Sequence, residues 1–185
     1  MCEIQRGDYI AVIGAGPVGL CSMACARTFN PGKIIAIDID EFRLNLALKL
    51  GLADFVFNPQ QCDIEKEIKK LTENRGADSV IEAGGGKNTF ETAWKIARPN
   101  AIVGVVAMYE ENQILPLPEM YGKNLTFKTG GVDAVHCKKL LEMISKGIIN
   151  TDFLITHTFQ LDEIEKAYKF FEAKSDNCLK TAINY

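Results

Sequence analysis

The sequence lacks the features that mark several common functional classes. Its six cysteines include no C-x-x-C pair and it has only two histidines, so the close Cys/His spacings of zinc sites are missing and we expect no metal. No run of 18 apolar residues occurs, which argues against a membrane-spanning helix. Lys and Arg number 21 against 24 Asp and Glu, a net charge of −3, so we expect binding neither to nucleic acid nor to a membrane surface.

What remains is an ordinary globular composition. The chain has 185 residues, of which 47% are apolar and 24% charged, enough for the core of a single domain spanning residues 1–185. The N-terminal stretch MCEIQRGD is polar as a whole and contains no apolar run, so we expect neither a signal peptide nor an anchor. Scattered thiols without a signal fit a reducing compartment, and we expect a cytoplasmic protein.

Short apolar runs alternate with helical patterns along the chain. Helices are predicted after Gly16, Asp40 and Asp63, over 134–146, and where apolar residues recur at helical spacing, from Phe90 to Ala97 and from Ile164 to Phe171. Residues 147–157 read as irregular. Strands are predicted over residues 9–13, 34–37, 54–57, 79–81, 101–107 and 125–127, with a terminal strand at 182–183. This alternation predicts an α/β fold, a doubly wound parallel sheet of the Rossmann type.

The first predicted strand ends in a glycine-rich turn. Residues 14–19 read G-A-G-P-V-G, directly between a strand and a helix. Gly14 suits a tight turn, Gly16 lets a pyrophosphate approach the backbone, and Gly19 allows close packing of the helix on the sheet. Pro17 is a favoured first helical residue and Val18 follows it, at a helix end whose free N–H groups attract phosphate. The sequence therefore predicts dinucleotide binding at this turn.

An acidic residue at the end of the second strand indicates which dinucleotide is bound. Asp38 follows Gly19 by about 20 residues, where a carboxylate accepts hydrogen bonds from the adenosine ribose of NAD. A 2′-phosphate would place like charges a few ångströms apart, a repulsion of about 4 kcal/mol per charge pair at 4 Å. Arg43 is the one nearby cation placed to offset this repulsion. We therefore expect NAD as the cofactor, and NADP less readily.

Longer stretches of the chain resemble a known family. The runs GDYIAVIGAGPVGL, IAIDIDEFRLNLALKLGLAD, GADSVIEAGG and LITHTFQLDEIEKA are similar to the coenzyme domain of zinc-type medium-chain alcohol dehydrogenases. The resemblance covers essentially the whole chain. Residues 120–141, with Thr89 and Phe90, are most similar to the secondary-alcohol and diol dehydrogenase branch.

The resemblance implies further cofactor-binding residues. Asp38, with Ile39 and Arg43, would hold the adenosine ribose. The other implied positions are Ala83 and Gly84 on the adenosine side, Val103, Gly104 and Val105 at the nicotinamide, Gly130 near its ring, and Lys180 at the pyrophosphate. Val103 to Val105 also fit a plain buried strand, and Lys180 a surface charge. We interpret Glu82 as a structural carboxylate bonded to loop N–H groups.

Members of this family carry a zinc-binding catalytic domain before the segment that resembles this chain. We expect that domain to be absent, so the chain would bind coenzyme without catalytic residues or zinc of its own. It would then be a shortened polypeptide, a truncated gene product or half of a split enzyme. Two alternatives stay open: a non-catalytic NAD-sensing module and a nucleotide-binding methyltransferase, although Ile13 stands where methyltransferases prefer an acid.

Assembly is predicted from one apolar segment. In this family two coenzyme domains often pair at their sheet edges. Here the segment 113–117, which begins with Gln113 and ends with Leu117, would be an apolar edge through Ile114 and Leu115. We expect a homodimer through it, with weak self-association through a face left by the absent domain as the alternative.

Overall fold

The structure, a computed structural model, describes residues 1–131, 134–173 and 175–185. Contacts within the chain divide it into two units, Met1–Val135 and His136–Tyr185. Among the described residues, no helix combines the length and the apolar composition needed to cross a membrane.

The first unit alternates strands with helices. In chain order they are β1 (Tyr9–Ile13), α1 (Pro17–Arg27), β2 (Lys33–Ile37), α2 (Glu41–Lys49), β3 (Phe55–Phe57), α3 (Ile64–Leu71), β4 (Ala77–Glu82), α4 (Thr89–Ile96), β5 (Ala97–Val105), α5 (Leu117–Met120) and β6 (Thr126–Thr129). The six strands form one parallel sheet in the order β3-β2-β1-β4-β5-β6. This strand order is that of the doubly wound dinucleotide-binding fold, so the predicted fold class is confirmed.

Helices cover both faces of this sheet because its central strands are apolar on both sides. Ala11 and Ile13 of β1 belong to an apolar cluster with Trp94 of α4. Successive strand residues point to opposite faces, so Val12 faces the other way, and there it packs beneath α1 near Gly19. Because these strands are parallel, the carboxyl ends of β1, β2 and β4 lie at the same edge of the sheet.

Side-chain capping accounts for two helix starts. The Asp40 carboxylate accepts hydrogen bonds from the backbone N–H groups of Phe42 and Arg43 at the start of α2. Asp63 accepts one from the N–H of Lys66 at the start of α3. Both helices begin directly after these aspartates, as predicted.

The end of α4 differs from the prediction. Ala97 continues the apolar helical spacing, but in the structure it begins β5. The Lys123 ammonium donates to the carbonyl oxygens of Trp94, Lys95 and Ala97 at 2.9, 2.6 and 2.9 Å, which satisfies the carbonyl groups left free at the end of α4. The helix therefore ends one residue before the predicted Ala97, and a side chain distant in sequence binds its free carbonyl groups.

The segment predicted as an apolar sheet edge is not a strand. Residues 113–116 lie outside regular structure and Leu117 begins α5, while the edge strand next to β5 is β6. Pro116 and Pro118 have no N–H to donate to a strand ladder. Within the chain this segment is therefore not the edge strand of the sheet, and pairing of two copies through it stays a prediction.

The second unit contains α6 (Cys137–Ser145), β7 (Ile155–Gln160), α7 (Ile164–Glu172) and β8 (Lys180–Asn184), with 3-10 turns at Asp152–Leu154, Leu161–Glu163 and Ser175–Asn177. Strands β7 and β8 pair in parallel as a separate two-stranded sheet. The terminal strand is confirmed, but β7 includes residues read as irregular, and α6 begins three residues later than predicted.

Candidate functional site

The glycine turn between β1 and α1 has the close packing that its sequence predicts. Gly14 has φ +91°, and a Cβ there would lie 2.8 Å from backbone atoms of Ala83 and Gly84. A Cβ on Gly19 would overlap the carbonyl oxygen of Gly14. Neither position accepts a side chain, because the turn is pressed against both the helix and the neighbouring strand end.

Gly16 differs from the other two glycines because the space beside it is open. A Cβ there would meet one neighbour, the Arg43 Nη1 atom at 3.6 Å. Gly16 is the N-cap of α1 and no side chain caps this end, while Pro17 occupies its first turn and Val18 exposes 55% of its surface. An uncapped helix N-terminus beside an open glycine backbone fits a phosphate group.

Asp38 contacts this turn directly. Its Oδ2 atom accepts a hydrogen bond from the N–H of Ala15 at 2.6 Å, and its Oδ1 atom accepts one from the N–H of Asp40 at 2.9 Å. The structure thus joins the predicted acid to the glycine motif and also to the start of α2. Beside it, the side chain of Ile39 is 61% exposed.

Arg43 lies against the same turn through its Nη1 contact, but it has a partner that the sequence analysis missed. Its Nε atom is 3.4 Å from the Oδ2 atom of Asp40. The i,i+3 spacing of these residues at a helix start was the available signal. The guanidinium therefore lies at the crevice already paired with a carboxylate.

The loop after β4 forms the other wall of the crevice. Ala83 donates its N–H to the carbonyl oxygen of Ile13 at 2.8 Å. The fully buried Glu82 accepts the N–H groups of Gly84 and Gly85 through Oε1, both at 2.9 Å. The interpretation of Glu82 as a structural carboxylate is confirmed. Ala83 and Gly84 lie beside Gly14, and their predicted place on the adenosine side stays a prediction.

Two supporting contacts were not identified from the sequence. The buried Asn58 donates to the carbonyl oxygen of Ile39 at 3.2 Å and to the Glu41 carboxylate at 2.6 Å. The Tyr109 hydroxyl lies 2.9 Å from the Thr89 hydroxyl, and burial raises the pKa of Tyr109. Each links segments about 20 residues apart in the chain, which no local pattern signals.

Other predicted residues of the first unit are not gathered at the turn. The side chains of Val103 and Val105 are buried in the apolar core, and a Cβ on Gly104 would lie 2.5 Å from the Cys2 sulfur. Gly130 follows β6, and a Cβ there would lie 3.9 Å from the Met1 methyl carbon. Lys180 belongs to the second unit, where its ammonium lies 5.5 Å from the Phe171 ring centre.

The described residues contain no group of three or more His, Cys, Asp or Glu side chains placed to hold a metal ion. What they assemble is a glycine turn, an uncapped helix N-terminus and an acid at the next strand end. These features on this strand order define a Rossmann-type nucleotide-binding domain.

A family model described as "Zinc-binding dehydrogenase" matches residues 17–146. The chain belongs to this family, and the resemblance to zinc-type alcohol dehydrogenases is confirmed. The family assignment also excludes the methyltransferase alternative.

Individual relatives agree with this assignment. An alcohol dehydrogenase of Cupriavidus necator is 36% identical over 98% of this chain and 50% of its own length. The NADP-dependent isopropanol dehydrogenase of Thermoanaerobacter brockii is 32% identical over 99% of this chain and 54% of its own length. The structure of zinc-dependent alcohol dehydrogenase 2 from Streptococcus pneumonia superposes with a TM-score of 0.92 at 34% identity, covering 98% of this chain and 53% of that one. The chain therefore spans about half the length of the relatives it matches.

Proposed function

We propose that residues 1–185 are the coenzyme-binding domain of an alcohol dehydrogenase, which transfers hydride between a nicotinamide dinucleotide and an alcohol or ketone. The relatives' names supply the reaction class, and the glycine turn supplies the binding site. Hydride chemistry belongs to the nicotinamide when bound, while this chain binds and orients the cofactor.

The observation that carries this proposal is the opening at Gly16. Backbone atoms fill the space that a side chain would need at Gly14 and Gly19. The corresponding space at Gly16, at the uncapped end of α1, is open. The Asp38 carboxylate fixes the Ala15 N–H beside that space. A diphosphate fits the helix end and a ribose fits the acid, so we assign Gly14, Gly16, Gly19 and Asp38 to the cofactor.

We further propose that the cofactor is NAD. The Asp38 carboxylate lies at the proposed ribose position and accepts the backbone N–H of Asp40. A 2′-phosphate beside the Asp38 carboxylate meets repulsion of about 4 kcal/mol for each unit charge pair at 4 Å. A relative that is named NADP-dependent isopropanol dehydrogenase favours the other cofactor, so the choice between NAD and NADP is tested below.

We propose that the zinc of this family is held by residues outside these 185. In support, the described residues offer no metal-binding cluster and the chain spans half of its relatives' length. Zinc, where bound, polarises the alcohol oxygen. Accordingly, we expect the 185-residue polypeptide alone to bind cofactor and to leave alcohols unoxidised.

We also propose a homodimer and a cytoplasmic location. Ile114, Leu115 and Leu117 are 79%, 49% and 69% exposed, and contact between two copies would cover these apolar side chains. Pairing would rest on side chains, since the segment is not a strand. All six cysteines are unpaired, which fits a reducing compartment.

Calorimetric titration of the 185-residue chain with NAD⁺, NADH, NADP⁺ and NADPH tests the binding proposal. We expect saturable binding with tighter affinity for NAD. Asp38→Asn keeps an acceptor for the Ala15 N–H but removes the charge, so it should reduce the ratio of NAD affinity to NADP affinity. Asp38→Gly should reduce that ratio too and should also weaken NAD binding. A folded chain that binds none of the four nucleotides would refute the function, and a wild-type preference for NADP would refute the electrostatic argument.

A further inference from the structure

We propose that Asp40 is a second determinant of cofactor choice, because its carboxylate holds Arg43 in an ion pair and so withholds it from a 2′-phosphate. The inference rests on the proposed function and deepens it. It concerns the discrimination between two dinucleotides that differ by one phosphate group.

The position of Arg43 makes it the relevant cation. Its Nη1 atom lies 3.6 Å from where a Gly16 Cβ would be, so the guanidinium borders the open space at the glycine turn. Asp38, which marks the ribose position, contacts the same turn through Ala15. A guanidinium here is suited to bidentate binding of a phosphate on the ribose.

Asp40 opposes that use through its charge and its fixed position. Oδ1 accepts from the N–H groups of Phe42 and Arg43, which fixes the carboxylate at the start of α2. Oδ2 lies 3.4 Å from Arg43 Nε in an ion pair, and the Arg43 side chain is only 23% exposed. The carboxylate therefore offsets the positive charge of Arg43 and holds its Nε side, which weakens the attraction of the guanidinium for a phosphate.

This arrangement predicts that replacing Asp38 alone does not produce an NADP-binding protein. Without Asp38, the Asp40 carboxylate would remain beside Arg43, and a 2′-phosphate would still meet a negative charge and an occupied guanidinium. Removing both charges frees the cation. The two acids are then expected to act together, with Arg43 as the group through which Asp40 acts.

The experiment measures the dissociation constants of NAD⁺ and NADP⁺ by calorimetry. The proteins are wild type, Asp38→Gly, Asp40→Asn and the double variant that carries both substitutions. Each of these is made once with Arg43 and once with Arg43→Gln. Asparagine retains an acceptor oxygen for the helix cap, so α2 is preserved. Asp63→Asn is the matched control, because Asp63 also caps a helix and pairs with a cation three residues on, Lys66 at 3.0 Å.

We expect Asp40→Asn to tighten NADP⁺ binding about fivefold with Arg43 present, and to have a clearly smaller effect with Arg43→Gln. The double variant should bind NADP⁺ more tightly than either single variant, and Asp63→Asn should change neither cofactor. Equal effects of Asp40→Asn with and without Arg43 would overturn the proposal, as would no change in NADP⁺ affinity while NAD⁺ still binds. If the wild-type chain binds neither NAD⁺ nor NADP⁺, that result would instead refute the proposed function itself.

Discussion

Replacing Gly16 by alanine should separate cofactor binding from folding. The backbone at Gly16 has φ −70° and ψ −174°, an extended conformation open to any residue, and the added methyl group would meet only Arg43 Nη1 at 3.6 Å. The cost of an alanine at the helix N-cap is offset by the lower entropy of the unfolded chain, so we expect the free energy of unfolding to change by less than about 1 kcal/mol.

The same methyl group occupies the space assigned to the diphosphate. Losing one charged hydrogen bond between backbone N–H and phosphate costs about 2 kcal/mol, which corresponds to about 30-fold weaker NAD binding. Gly19→Ala is the contrasting variant, since its Cβ would overlap the Gly14 carbonyl oxygen and force α1 away from the sheet. We expect that change to reduce stability by about 3 kcal/mol or more.

Urea unfolding followed by circular dichroism measures the stability of each variant, and calorimetric titration with NAD⁺ measures binding. The reasoning predicts a stable Gly16→Ala chain that binds poorly and a destabilised Gly19→Ala chain. Gly16→Ala protein that binds NAD⁺ as tightly as wild type would refute the placement of the diphosphate. Equal destabilisation by the two substitutions would refute the packing argument.

Three further predictions concern residues around the crevice and the sheet. Glu82→Ala leaves the N–H groups of Gly84 and Gly85 without their charged acceptor, so its urea midpoint should correspond to a loss of about 1–3 kcal/mol, whereas Glu82→Gln, which keeps an oxygen, should lose less. Lys123→Met removes the donor to three carbonyl groups and should lower the melting temperature more than Lys66→Met, whose lysine is exposed. Burial raises the pKa of Tyr109, so above about pH 10 the unfolded state loses a proton that the folded state keeps, and stability falls as pH rises. Tyr109→Phe should therefore lose less stability than wild type between pH 9 and about pH 11, and equal losses would contradict the assignment.

The first part of the fold was predictable because its signals are local. Strand β1 and the start of α1 lie where the apolar run, the glycines and Pro17 place them. Asp40 and Asp63 start helices because their carboxylates reach N–H groups two or three residues on. The chain could form these contacts with no knowledge of its distant parts.

The missed boundaries depend on distant partners. Ala97 fits the helical spacing, yet Lys123 reaches across the fold to bind the end of α4, and β5 begins instead. Strand β7 is mostly solvent-exposed and forms by pairing with β8, so its sequence carries little apolar signal. Such elements are decided by a partner that the local sequence does not contain.

By itself, the amino-acid order determined the turn, the strand–helix alternation and the presence of an acid beside the motif, since all three follow from backbone freedom, apolar spacing and short-range hydrogen bonds. Only the tertiary structure decided which distant groups meet at the turn. It joined Asp38 to the Ala15 N–H, placed the Arg43 guanidinium beside Gly16, and set Ala83 and Gly84 against Gly14. The reason is physical: a side chain's partners depend on which segments the sheet brings within hydrogen-bond distance, and sequence separation does not fix that distance.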